Sequence, residues 1–118
     1  LALAVAFDIH PLNNLRVLNY LTGPLEASDA QRTAWIHHWM ALGLEAIEQQ
    51  LAHSPQPGPV GHGATPTLAD CCLVPQVFNA QRFQVDMAPY PTVQRIAAHC
   101  DGLPPFQAAH PAQQADAG

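Results

Sequence analysis

The chain has 118 residues, 48% of them apolar, and a formal net charge of -5 from nine acids, four arginines and no lysine. That is enough for one domain around one core, and it excludes a disordered chain. It also excludes nucleic acid and anionic membrane surfaces as partners, because both need clustered cations, and no apolar run approaches the ~20 residues of a membrane span.

Every convincing periodic segment repeats with helical period and no strand pattern occurs, so the expected fold is an all-α bundle. Residues 1–21 form the first segment, with Ile9, Leu12, Leu15, Leu18 and Leu21 recurring every three residues. Pro11 lacks an N–H and crowds the preceding turn, so a kink or a restart is expected there, and Gly23-Pro24 ends the segment. The chain opens inside this apolar pattern with neither a cap nor an initiator Met, and we expect it to begin inside a domain or to follow one.

A second helix starts at Ser28, where "SDAQ" offers a reciprocal capping box between Ser28 and Gln31. Ile36, Met40, Leu44, Ile47 and Leu51 make its apolar stripe, Trp35 and Trp39 lie beside it, and Glu45, Glu48, Gln49 and Gln50 mark the wet side. Residues 53–66, "HSPQPGPVGHGATP", read as an exposed connector or a flexible turn. In the third helix, residues 67–83, Thr67 and Asp70 have capping-box spacing. Leu68, Cys71, Cys72, Leu73, Val74 and Val77 run almost all round it, which predicts a buried central helix bent at Pro75. "PYPTVQRIAAHC" starts a fourth helix with Val93, Ile96, Ala97 and Cys100 facing inward and Gly102 in the left-handed closing position. "PPFQAAH" reads as a short final helical turn and "PAQQADAG" as a frayed tail.

Chemistry-bearing residues are few. The adjacent His37 and His38 point to different faces of a helix, and no His-x-x-x-His or Cys-x-x-Cys spacing occurs, so no metal site is assigned. His37, His38, His53 and His62 read as surface or loop residues. Cys71 and Cys72, about 100° apart on a helix, make a poor disulfide and read as reduced, small packed side chains. Asp70 is more simply a capping carboxylate than a general acid or base. His10, Asn13, Asn14 and Arg16 form a polar edge on an apolar helix, with His10 and Asn14 about 40° apart. That edge is either a solvated face or a site. Arg82, at the end of the third helix, suits a helix C-terminus whether or not it binds anything.

At these residues a family becomes recognisable. "DIHPLNNLRVLNYL", "PTLADCCLVPQVFNAQRFQVDMAPYPTVQRI" and "LPPFQAAHPAQQADA" resemble the all-α C-terminal domain of zeta-class glutathione transferases, which include maleylacetoacetate and maleylpyruvate isomerases. The resemblance runs over nearly the whole chain and implies one domain, residues 1–118, with a buried, N-capped central helix. It further implies that glutathione is the cofactor and that a thioredoxin-like N-terminal domain, absent from this chain, carries the thiol-activating residues, so none here is catalytic. His10, Asn14, Leu15 and Arg16 would then face glutathione, while Arg16 and Arg82 would bind the carboxylates of a small anionic substrate; Asn13 receives no role. The family's reaction is thiolate addition to a cis double bond, rotation, and thiol expulsion to the fumaryl product. A cytoplasmic location and a homodimer in the longer protein follow from the same resemblance.

Two departures stand out. The loop before Thr67 lacks the aromatic residues and the Gly-Asp usual in the family, so looser packing is expected there. Without the thioredoxin-like domain, this polypeptide alone is expected to be inactive. A general zeta-class transferase acting on small halo-acids stays open as an alternative, and so does a non-catalytic helical interaction module if the chain stands alone.

Overall fold

The structure, a computed structural model, describes residues 1–117, and the regular structure among them is all helical, with no strand. Leu1 to Leu21 is not one helix. A wide π-helical turn, Ala4–Ile9, closes with the His10 N–H donating to the Val5 carbonyl at 2.9 Å. A 3₁₀ turn, Pro11–Asn13, follows with the proline at its first position, where no N–H is needed. Asn14 is extended, and α1, Leu15–Thr22, starts afresh behind it. The break anticipated at Pro11 is there, as the change from the π-helical to the 3₁₀ turn, while the α-helix starts only behind Asn14, and the single-helix wheel no longer describes residues 10–16.

α2, Asp29–Ala52, begins with the anticipated reciprocal box: the Gln31 N–H donates to Ser28 Oγ at 3.2 Å, and the Ser28 N–H to Gln31 Oε1 at 2.8 Å. All five residues of its stripe are buried. At Gly43 a Cβ would overlap the fully buried side chain of Ile9, so glycine lets the π-helical turn lie directly on α2.

α3, Leu68–Arg82, carries its capping box as read from the spacing. Asp70 is fully buried and accepts the Thr67 N–H at 2.8 Å and the Gly61 N–H at 2.7 Å. The second bond ties the preceding loop to the helix. Val60 is buried in the core and Arg95 donates to the Gly58 carbonyl at 2.9 Å, so the loop is pinned rather than loosely packed. α3 is not buried all round: Leu73, Val77 and Ala80 are inside, but Leu68 is 72% and Phe78 40% exposed. Cys71 is exposed too, not packed as anticipated, because this side of α3 has too little of the bundle over it.

α4, Pro91–Asp101, buries Val93, Ile96, Ala97 and Cys100 against α2 and α3. Glu48, read above as a wet-side residue, accepts the Thr92 and Val93 N–H groups at 2.9 and 2.8 Å and so caps α4 from α2. A carboxylate is favoured at that positive helix end. Gly102 is right-handed (φ -76°, ψ -12°), not left-handed. The chain turns at once into α5, Pro104–Ala109, and Leu103 is extended as a residue before proline must be. The tail holds a 3₁₀ turn, Pro111–Gln113, capped by the His110 side chain.

Candidate functional site

The polar edge takes shape from the restart. Asn14 Oδ1 accepts the Arg16 N–H at 3.1 Å and caps α1. That use leaves its Nδ2 donor free, because the oxygen alone does the capping. His10 and Arg16 are exposed, and Leu15 is 65% exposed. The Leu15 N–H, in the open first turn of α1, has no acceptor among the described residues. Asn13 is not part of this edge: both of its amide atoms are buried without a partner, as is Nε2 of the buried Gln76.

Arg82 occupies the last turn of α3, exposed, with its guanidinium carbon 5.9 Å from the centre of the Phe83 ring. The helix end beneath it is tightly specified. The Val85 N–H donates to the Ala80 carbonyl at 3.0 Å and the Gln84 N–H to the Gln81 carbonyl at 2.9 Å, a Schellman closure. Gln84 fills its left-handed position at φ 58°, which costs a non-glycine residue roughly 1 kcal/mol.

Both segments are fastened to one turn of α2. Trp35 Nε1 donates to the Leu12 carbonyl at 2.9 Å. His37 Nε2 lies 2.7 Å from the Phe83 carbonyl. A carbonyl only accepts, so Nε2 carries the proton. His37 is thus a tie between helices and not the surface residue anticipated. Nothing in the sequence could have flagged it, because its partner is 46 residues away.

Neither the Arg16 nor the Arg82 guanidinium hydrogen-bonds to another described residue, whereas Arg95 is spent on the loop. The arrangement offers two uncommitted forked cations, a free amide donor, an imidazole and an open backbone N–H. This donor set suits a ligand carrying carboxylates. Thr67 and Asp70, by contrast, are engaged with one another and with backbone as a helix cap.

An apolar groove of about 330 Å³ runs between α3 and α5, lined among others by Cys71, Val74, Phe78, Phe106 and His110. Neither Arg16 nor Arg82 lines it. No group of three or more His, Cys, Asp or Glu residues suited to a metal occurs among the described residues. No helix of the described residues is long and apolar enough to cross a membrane.

No family model matches the chain. Individual proteins do. The chain is 48% identical over 117 residues to a probable maleylacetoacetate isomerase of Vibrio cholerae, covering 99% of this chain and 54% of that protein. It is 48% identical over 116 residues to a maleylpyruvate isomerase of a Ralstonia species, covering 98% of this chain and 55% of the relative. A solved holo structure of a maleylpyruvate isomerase, described as a bacterial glutathione S-transferase of the zeta class, superposes with a TM-score of 0.96 at 47% identity, over 99% of this chain and 55% of that one. The chain spans about half the length of the curated relatives it matches, and the matched half is the C-terminal part.

Proposed function

We propose, for a chain that belongs to the zeta class of glutathione transferases and spans their C-terminal helical part, that it forms one wall of a glutathione-dependent cis–trans isomerase site. The substrate is maleylpyruvate or maleylacetoacetate and the product its fumaryl isomer. The other wall is a thioredoxin-like N-terminal domain that activates the thiol, and the longer protein works as a cytoplasmic homodimer in the breakdown of aromatic compounds.

What supports this reading is a single arrangement: two guanidinium groups with no hydrogen-bond partner among the described residues, on two segments fastened to the same turn of α2. The substrates are dianions, and arginine's planar fork matches a carboxylate with two parallel bonds. His10, Asn14, Leu15 and Arg16 hold glutathione. The donors they leave free fit a peptide that carries two carboxylates, and Arg16 stands at the border between cofactor and substrate. Glutathione supplies the thiolate nucleophile when bound. The residues of this chain bind and orient. Arg82 and Arg16 fix the two ends of the dianion, and their charge stabilises negative charge that develops on the substrate oxygens.

The test is steady-state kinetics of the full-length protein. Arg16→Ala and Arg82→Ala are each expected to raise KM for maleylpyruvate about tenfold or more, the worth of a charge-assisted hydrogen bond. Arg16→Ala should also raise KM for glutathione. Wild-type kinetics in both variants would remove the reading. Efficient dehalogenation of small halo-acids with no maleyl turnover would favour the general transferase instead.

A further inference from the structure

We propose that His37 is a positioning residue for Arg82, and that the turn of α2 from Trp35 to His37 sets the spacing between the two carboxylate-binding segments. The inference rests on the reading of Arg16 and Arg82 as substrate ligands. Residues two apart on a helix lie about 200° round from one another and about 3 Å along the axis. Trp35 and His37 therefore reach out from opposite flanks of a single turn. One holds Leu12, four residues before Arg16; the other holds Phe83, the residue after Arg82.

Both ties are side chain to backbone, so they fix where the chain runs and not merely what packs on it. Each belongs to a side chain that is itself half-buried. The Phe83 tie falls on the same helix end that already carries the Schellman closure and the left-handed Gln84. Phe83 also packs against the core while its ring lies beneath the Arg82 guanidinium. A shift of Phe83 thus moves the platform on which Arg82 rests. The Trp35 indole is braced in turn by the edge of Trp39, with ring centres 5.6 Å apart. A rigid turn with one tie on each flank acts as a gauge for the length of dianion that the two arginines can grip together. Maleylacetoacetate is longer than maleylpyruvate by one methylene, and a gauge of this kind would tell them apart.

The experiment uses the full-length protein, with both substrates and glutathione varied in turn. In His37→Ala, KM for the maleyl substrate should rise about three- to tenfold, up to the value of one lost hydrogen bond to a charged site. KM for glutathione should stay close to wild type, and the preference between the two dianions should change. His37→Gln, whose amide can donate to the same carbonyl, should restore both the substrate KM and the preference. Trp35→Phe keeps an aromatic ring but loses the indole N–H. It should also change the preference between the dianions, together with KM for glutathione, because Leu12 leads into the glutathione-facing segment. An unchanged substrate KM and preference in His37→Ala, or an equal rise in both KM values that His37→Gln fails to rescue, would overturn the proposal. Arg82→Ala separates the two readings. If it raises substrate KM while His37→Ala does not, the gauge fails and the proposed function stands; if Arg82→Ala itself has no effect, the proposed function fails.

Discussion

Two cysteines on packed helices behave as opposites. Cys100 on α4 is fully buried, and its thiol is pushed up from 9.0 to about 11, chiefly by burial and then by the charges of Asp70 and Asp101. Cys71 on α3 is exposed. The folded state holds the Cys100 proton more tightly than the unfolded chain does. The resulting stability is fully present below pH 9 and is lost as pH rises from 9 towards 11, up to about 3 kcal/mol in all. Denaturant melts of the full-length protein at pH 8, 9, 10 and 11 should show this loss, and Cys100→Ala should flatten it. Tyr90, also raised by burial, adds a loss of the same sign as pH rises above 10.0. An equally steep fall in Cys100→Ala would refute the assignment. Of the residues proposed to bind substrate, Arg16 and Arg82 are legible in the sequence through the family resemblance. His37 is not, because its partner is distant along the chain.

Elements were legible where their signals are local. The two capping boxes, Ser28 with Gln31 and Thr67 with Asp70, formed as their spacing required, and the stripe from Ile36 to Leu51 is buried along its length. What escaped the sequence is long-range. Glu48 looked like one more surface acid but caps a helix 44 residues on. Gly43, inside α2, is the seat of Ile9. The π-helical turn arises because the chain must carry Ile9 into the core and then reach Pro11 without an N–H, a demand that periodicity does not record. Asp70 belongs to this scale, because it joins two elements. Asp70→Ala strips the acceptors from two backbone N–H groups, Gly61 and Thr67, at about 1–3 kcal/mol each. Its Tm should fall by several degrees, and proteolysis should open first in the loop of residues 53–66. If any soluble Asp70→Ala protein melts like wild type, the carboxylate is not the fastener described here.

At the scale of the molecule, the bundle measures 46 × 37 × 23 Å and leaves large apolar side chains outside it. Leu3 is 68% exposed, Phe7 69% and Leu68 72%, the first two one turn apart. The exposed apolar side chains of the first turns and of α3 accord with a wall that works against a second domain. In the proposed function the two arginines are the part of that wall that meets the substrate. The most direct test pairs a change in the protein with a change in the substrate. Full-length wild type and Arg82→Ala are compared on maleylpyruvate and on its two monomethyl esters. The account predicts that Arg82→Ala lowers kcat/KM on the dianion about tenfold or more. On the ester lacking the carboxylate held by Arg82, the same substitution should cost almost nothing. An equal loss on the dianion and on both esters would contradict it, since Arg82 would then be acting on something other than a substrate carboxylate.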